Sequence, residues 1–332
     1  MNLLKRAREL ALRREWPKLA ALHETEVSPD DLVGCPELAY LLSDALRRTG
    51  QMERARPLAE EAESGASRAA DARLHLRSIN LIGMIDFESG AMDAAGRRFA
   101  ELLERASDAD DDEFAARASN NLGILANIRG QTELALTSYQ RALAAYHRIG
   151  YARGLAQTHF NLGISYRDLG FTDEADAHYA RAMEFAEDTD SEDVIALAET
   201  ERALLRARDG DGHLAESLAT RALGRLQRMG DPAGAANAVR VLASAALARG
   251  APDLALQRLD QALGTTRAHP DLLLRAEIQR DRGLVLVDLR DTSAAVNALR
   301  EALEAFRQIG ATREIDATRK LLTTLTPEAE QL

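Results

Sequence analysis

The sequence is poor in cysteine, lysine and aromatic residues. The single Cys35 excludes an intramolecular disulfide framework and a zinc cluster built on cysteines. Aromatic residues make up only 4% of the chain, so a large aromatic-walled catalytic cavity is not expected. Lysine occurs only as Lys5, Lys18 and Lys320, which leaves arginine as the main cation. This bias indicates either the codon usage of a GC-rich bacterium or arginine forks chosen to bind carboxylates.

Long apolar runs are also missing. Residues 1–6 lack the apolar core of a signal peptide, and no run approaches the roughly 18 residues of a membrane-spanning helix. The net charge of −11, with a pI near 5.3, argues against direct binding to nucleic acid, which calls for a basic surface. We therefore expect a cytoplasmic protein that contacts neither a membrane nor nucleic acid directly.

The usual local motifs of catalysis and metal binding are absent as well. The seven histidines include no pair spaced three or four residues apart, and there is no glycine-rich phosphate loop and no nucleophile elbow. The acidic run at 108–113 lacks the glycine and the final glutamate of a calcium loop. The sequence thus predicts no cofactor, no metal ion and no enzymatic activity.

The sequence does contain a repeat of forty residues. One position of the repeat, which we call the anchor, is occupied by Gly50, Gly90, Gly130, Gly170, Gly210, Gly250 and, as the one departure, Arg290. Alanine stands five residues after each anchor, and a small residue stands seven before it, as in Gly123 and Gly163. Larger side chains, such as Tyr139 and Tyr179, usually stand nine after it. Small residues on both sides of a turn allow two antiparallel helices to approach closely, so each unit is predicted to be a helical hairpin.

This pattern resembles the tetratricopeptide repeat (TPR), and residues 156–190 match its signature best. The common TPR has about 34 residues, so the extra residues are expected to lengthen the helices and the return loop. Repeats of this length resemble those of the bacterial Rap/PlcR-type peptide receptors, kinesin light chains and LGN-like scaffolds. The resemblance implies an all-α fold, a right-handed superhelical solenoid of antiparallel helix pairs.

The repeat phase also predicts how the chain is organised. Residues 1–35 lack the phase and are expected to form a capping hairpin of helices at 2–14 and 17–26. Residues 36–310 hold the seven repeats, with the last boundary at 269–271, and residues 311–332 form a capping helix followed by a tail from Pro327. We expect Trp16 to cover the apolar end of the first repeat.

A concave groove is the candidate binding site, because the first helix of each unit lines the concave side of such a superhelix. The inward positions fall thirteen, ten, six and three residues before each anchor. The candidate residues in repeats two to four are Arg77, Asn80, Met84, Phe87, Arg117, Asn120, Ile124, Asn127, Phe160, Ile164 and Arg167. The same positions in repeats five to seven are Leu197, Thr200, Leu204, Ala207, Asn237, Arg240, Ser244, Leu247, Glu277, Arg280, Leu284 and Val287. The stripe in repeats two to four carries no acid, so its amides and guanidinium groups suit a peptide backbone and a carboxylate.

Three hypotheses about function follow. The first is a non-enzymatic scaffold or adaptor that binds a peptide or partner segment in the groove. The second, implied by the resemblance, is a peptide-sensing regulator of the Rap/PlcR type, although residues 1–35 are too short for a helix-turn-helix domain. The third is a structural scaffold that forms homo-oligomers through the ends of the solenoid.

Overall fold

The computed structural model describes residues 3–268 and 271–325, and all regular structure in these ranges is helical. His269 and Pro270 of the expected last boundary, and the expected tail from Pro327, lie outside the described residues. The helices are Leu3–Leu12 (α1), Trp16–Thr25 (α2), Pro29–Gly34 (α3), Pro36–Arg48 (α4), Met52–Arg68 (α5), Ala72–Glu88 (α6), Met92–Asp108 (α7), Asp112–Ile128 (α8), Thr132–Ile149 (α9), Ala152–Leu169 (α10), Thr172–Glu187 (α11), Glu192–Arg208 (α12), Gly212–Met229 (α13), Pro232–Ala248 (α14), Pro252–Ala268 (α15), Leu272–Asp288 (α16), Thr292–Ile309 (α17) and Thr312–Leu325 (α18).

Residues in the left-handed backbone conformation follow the ends of these helices, and they are regularly spaced along the chain. A residue with positive φ stands at every twentieth position from Gly50 to Gly250, and again at Arg290 and Gly310. The connections are short, as in the three residues between Arg68 and Ala72. The expected longer return loop is therefore wrong. The extra residues of the repeat lie in the helices, which have 16 to 18 residues from α5 to α17.

The chain divides into two compact units, Met1–Leu122 and Gly123–Leu332, with the boundary inside α8. We call the even-numbered helices from α4 to α16 the A helices and their odd-numbered successors the B helices. In the second unit α10, α12 and α14 each pack on their own B helix and on the next A helix in the series, and α16 packs on α17. These A helices, with α18 following α17, form the A layer of the second unit.

Close contact between the helices of a pair explains the small residue seven positions before each anchor. A Cβ atom on Gly123 of α8 would lie 2.6 Å from Cε1 of Tyr139 on α9, and a Cβ atom on Gly83 of α6 would lie 2.6 Å from Cε1 of Phe99 on α7. Both rings are buried. The rings thus occupy the space that the glycines leave open, as the spacing predicts.

The N-terminal segment contains the two expected helices, the first shorter than predicted and the second starting one residue earlier, and a third helix that the sequence did not predict. Ser28 caps this short helix, α3, with a capping box, because its Oγ accepts from the backbone N–H of Asp31 and the Asp31 carboxylate accepts from the backbone N–H of Ser28. Trp16 packs against the core around Leu38 and Leu42, and the guanidinium of Arg48 lies 4.5 Å over its ring. The division of the chain into a cap at 1–35, repeats at 36–310 and a second cap at 311–332 stays a prediction.

Candidate functional site

Charged side chains of alternating sign join the helices of the A layer in the second unit. They come from α10, α12, α14, α16 and α18, and each contacts the next through a salt bridge. We call this series the ion chain. Its members, in order of contact, are Glu201, Arg167, Asp168, Arg313, Glu314, Arg280, Asp281, Arg240 and Glu277.

Arg167 and Asp168 of α10 lie near one end of the ion chain, next to Glu201. The Nη2 atom of Arg167 donates to Oδ1 of Asp168 over 2.7 Å, and its Nη1 atom donates to Glu201 of α12. The other carboxylate oxygen of Asp168 accepts from Arg313 of α18 over 2.7 Å. The side chains of Arg167 and Asp168 are only 10% and 8% exposed, so these charges are largely removed from water.

Arg240 of α14 forms the other end. Its Nη1 atom donates to Oδ2 of Asp281 over 2.8 Å, and its Nη2 atom lies 3.4 Å from Oε2 of Glu277. Oδ1 of Asp281 accepts from Arg280 over 3.1 Å, and Arg280 also donates to Glu314 of α18. Each guanidinium in the ion chain therefore has at least one carboxylate partner.

The pKa values follow from burial and from these partners. Burial alone would raise the pKa of the Asp281 carboxyl, but Arg280 and Arg240 hold it below its usual range. In the same way burial opposes the charged form of Arg167, yet Glu201 and Asp168 raise its pKa well above the ordinary value. The Asp281 carboxyl and the Arg167 guanidinium are therefore charged at neutral pH, whereas burial raises the pKa of the Glu277 carboxyl at the end of the ion chain.

A cavity of about 490 Å³ lies beside the ion chain, between α12, α14 and α16. Its polar lining includes the guanidinium groups of Arg208, Arg240 and Arg280, together with Asp281 and Ser244. Its apolar lining consists mainly of Leu204, Ala207, Ala243, Leu247, Leu284 and Val285. The cavity therefore combines an apolar wall with a few charged groups, which is the usual form of a ligand site.

The cavity lies in repeats five to seven, whereas the candidate residues of the sequence analysis lie in repeats two to four. In the second unit the ring of Phe160 lies 5.9 Å from that of Tyr179, and Ile164 packs beside Tyr179. Asn127 accepts a hydrogen bond from Ser165 over 3.1 Å. Ile124 packs against the core around Tyr139. These four are partly buried, and of the candidate residues only Arg167 belongs to the ion chain.

The remaining candidates lie in the first unit. The guanidinium of Arg77 lies 4.2 Å over the ring of Tyr40, and Asn80 accepts from the amide of Asn121 over 3.2 Å. Arg117 donates to Glu113 over 2.8 Å. Met84, Phe87 and Asn120 lie on the same faces of α6 and α8, with Asn120 buried and the other two half-buried.

The absence of acids from the predicted stripe therefore does not leave its arginines unpaired. The carboxylates stand one or more positions outside the stripe, as in Glu113 for Arg117 and Asp168 for Arg167. The adjacent positions, nine and two residues before each anchor, hold Glu201, Asp281, Asp168 and Arg208. An apolar or binding face of a helix is about 100° wide, which is room for these extra positions.

In residues 3–268 and 271–325 no group of three His, Cys, Asp or Glu side chains is placed to hold a metal ion. Within the same ranges no helix is long and apolar enough to cross a membrane.

Comparison with known proteins identifies the repeat. The tetratricopeptide repeat family model matches residues 74–148 and 114–188, which together extend from α6 into α11. This match confirms the repeat type that the sequence predicts. No curated protein matches the sequence.

Three solved structures are similar over nearly the whole chain. A Rap protein complexed with Competence and Sporulation Factor has a TM-score of 0.64 at 16% identity, with 98% of this chain and 97% of that one covered. The apo form of the quorum sensor NprR from B. thuringiensis has a TM-score of 0.53 at 12% identity and the same coverage. The apo form of RapI has a TM-score of 0.51 at 13% identity, covering 99% and 98%. At these identities the likeness shows the fold, an all-α array of TPR-like helix pairs.

Proposed function

We propose that this chain, a TPR-type protein that resembles the Rap class in fold, is a non-enzymatic binding protein. It takes up a peptide or an extended segment of a partner protein on its A helices. The observation that carries the proposal is the cavity of about 490 Å³ between α12, α14 and α16. Its volume falls within the range of ligand pockets, about 300 to 1,000 Å³.

The A helices offer what an extended chain needs. Apolar side chains such as Leu247 and Leu284 can bury the side chains of a ligand, while Ser244 and the guanidinium of Arg208 supply polar anchors. The candidate residues of repeats two to four remain part of the proposal as a second contact region. In that region Met84 and Phe87 are half-buried apolar side chains on α6.

A selection from a random peptide library tests the proposal. The full chain is immobilised, peptides of about ten residues are selected by display, and the binding of one enriched synthetic peptide is measured by fluorescence anisotropy. Ser244→Phe fills the cavity with a ring, whereas Arg228→Gln changes a residue on α13 that does not line it. We expect the first variant to weaken binding by at least about tenfold, since apolar contact and a polar anchor are lost together, and the second to leave it unchanged.

The same experiment separates the two regions of the proposal. A variant with Arg77→Ala, Asn80→Ala, Arg117→Ala and Asn120→Ala alters only the first unit. Loss of binding in this variant but not in Ser244→Phe would move the site to the candidate residues of the first unit. If no peptide is enriched on the intact chain, the proposed function is rejected.

Two salt bridges favour the second hypothesis, a sensor that changes shape on binding. On α18, Arg313 forms a salt bridge with Asp168 of α10, and Glu314 forms one with Arg280, which also lines the cavity. A ligand that binds Arg280 would compete with Glu314 for its guanidinium and so weaken the attachment of α18. Hydrogen exchange of the α18 amides with and without the selected peptide tests this idea, because equal exchange in both states argues for a passive adaptor. Self-assembly through the ends of the array stays a prediction, which light scattering at several concentrations checks.

A further inference from the structure

Three guanidinium groups line the cavity, and they differ in what they contact. Arg240 and Arg280 belong to the ion chain and have carboxylate partners. Arg208, at the end of α12, has no hydrogen bond and no salt bridge to any residue in the described ranges. It is also exposed, so its guanidinium is the cation of this cavity that an incoming anion can reach.

The surroundings of Arg208 destabilise its positive charge, so that binding of an anion there is favoured. Burial of part of the side chain lowers the pKa of Arg208, and the nearby charge of Arg167 lowers it further. Glu201 and Asp168 oppose this, but both are already paired with Arg167. A carboxylate on the guanidinium would supply the neutralising charge in two parallel hydrogen bonds.

Apolar side chains lie next to this cation. Leu204 and Ala207 precede Arg208 on α12, and Leu247 and Leu284 face the same cavity from α14 and α16. Leu284 is 37% exposed, so part of its side chain is open to a ligand. Covering it would remove apolar surface from water, which favours binding.

Charge and shape together restrict the ligand. A basic side chain would be repelled by the unpaired guanidinium of Arg208, since Asp281 in the lining is already paired with Arg240 and Arg280. An inorganic anion would pair with Arg208 but leave the apolar wall uncovered. The C-terminal residue of a peptide can carry both an apolar side chain and a carboxylate on one carbon atom. We infer that the cavity binds the free C-terminus of a peptide, with its carboxylate on Arg208 and an apolar last side chain against Leu247 and Leu284. The inference rests on the proposed function and names its ligand chemistry.

Short synthetic peptides test the inference on the full chain. The main probe is N-acetyl-Ala-Ala-Ala-Leu with a free carboxylate, compared with the same peptide as a C-terminal amide and with a peptide ending in Ser. A fourth probe, N-acetyl-Ala-Asp-Ala-Leu amide, carries its carboxylate on a side chain, and inorganic phosphate is the fifth. Affinities are measured by calorimetry, and the Nε–Hε NMR signals of the arginines report which guanidinium is contacted.

The variants isolate Arg208 from general charge effects. Arg208→Gln removes the cation from the cavity, and Arg228→Gln removes one of equal charge from the same unit outside it. Arg208→Lys keeps the charge but loses the planar fork. We expect the free acid to bind the unmodified chain about ten- to hundredfold more tightly than the amide, the difference made by a charged hydrogen bond. This preference should vanish in Arg208→Gln, shrink in Arg208→Lys and persist in Arg228→Gln.

Each other result overturns the inference in a defined way. Equal affinity for acid and amide, or no binding of either, removes the C-terminal assignment. If the Asp-containing amide binds as tightly as the free acid, the carboxylate that binds Arg208 comes from a side chain. If phosphate alone binds and its binding depends on Arg208, the cavity is a simple anion site. A library peptide that still binds the chain in these cases leaves the proposed function standing, whereas the absence of any selected peptide rejects both.

Discussion

Arg313 of α18 donates to Asp168 of α10 over 2.7 Å, although seven helices separate the two residues in the chain. The start of α18 also approaches the turn after α8, because a Cβ atom on Gly130 would lie 3.8 Å from Cβ of Arg313. The side chain of Thr318, one and a half turns further along α18, is fully buried. The last helix is thus held on the A layer by ions as well as by packing.

Removing the charge of Asp168 should therefore destabilise the second unit. In Asp168→Asn both Arg167 and Arg313 lose a carboxylate, and the buried Arg167 keeps only Glu201. Loss of one partner of a buried pair costs about 3 to 5 kcal/mol. Urea unfolding measures this change in the free energy of unfolding, and hydrogen exchange should show faster exchange in α18.

The matched control is a salt bridge on the surface. Glu26→Gln breaks the pair with Arg6, whose side chains are 39% and 40% exposed. Such a pair contributes about 0 to 1 kcal/mol. Equal effects of the two substitutions would mean that the ion chain is hydrated and contributes no more than a surface pair.

The close contact of α8 with α9 predicts a cost for one added methyl group. In Gly123→Ala the new Cβ atom would lie 2.6 Å from Cε1 of the buried ring of Tyr139, so the ring or the helix must move. Overpacking of this kind costs about 1 to 3 kcal/mol. Gly264→Ala on α15 is the control, since nothing lies within 4 Å of its Cβ position. It should stabilise the chain by up to about 1 kcal/mol through helix propensity, and thermal or urea unfolding compares the two variants.

The repeat could be predicted because its signal is periodic. Small residues such as Gly83 and Gly123 mark positions where two helices touch, and sequence spacing alone reveals them. The left-handed turns at 70, 110 and 190 were not predicted, because Ala70, Asp110 and Asp190 occupy positions where glycine would have signalled the turn. The site was the least predictable feature. Whether an arginine such as Arg208 is paired depends on side chains from other helices, and no local pattern records those contacts.

Two histidines in contact predict a loss of stability in mild acid. Nδ1 of His159 lies 3.0 Å from Nδ1 of His178, and the rings of Phe185 and Tyr166 stack on the two imidazoles. Burial, followed by the charge of His178, lowers the pKa of His159 to about 4, and burial also lowers the pKa of His178. One imidazole must donate and the other accept, so protonation of both is unfavourable.

The direction of the effect follows from these lowered pKa values. The unfolded chain takes up protons near pH 6.5, whereas folded His159 does so only near pH 4. The free energy of unfolding should therefore fall between pH 6.5 and pH 4, by about 3 kcal/mol for His159. The double variant His159→Phe with His178→Gln should show a smaller fall, while His213→Gln, at an exposed position of α13, should not differ from the unmodified chain. Parallel pH profiles for all three proteins would contradict the assignment.

Arg290 is the one anchor that is not glycine, yet it keeps the left-handed conformation with a φ of 62°. A side chain in this region costs about 1 to 2 kcal/mol because its Cβ atom crowds the next carbonyl. Arg290→Gly should relieve this cost and raise the free energy of unfolding by about 1 kcal/mol, reduced by the greater freedom of glycine in the unfolded chain. Arg300→Gly, at an exposed position inside α17, should instead lower it by about 1 kcal/mol. Urea unfolding of the two variants distinguishes a conformational cause from the loss of an arginine charge, since both remove the same charge and only the backbone conformation differs.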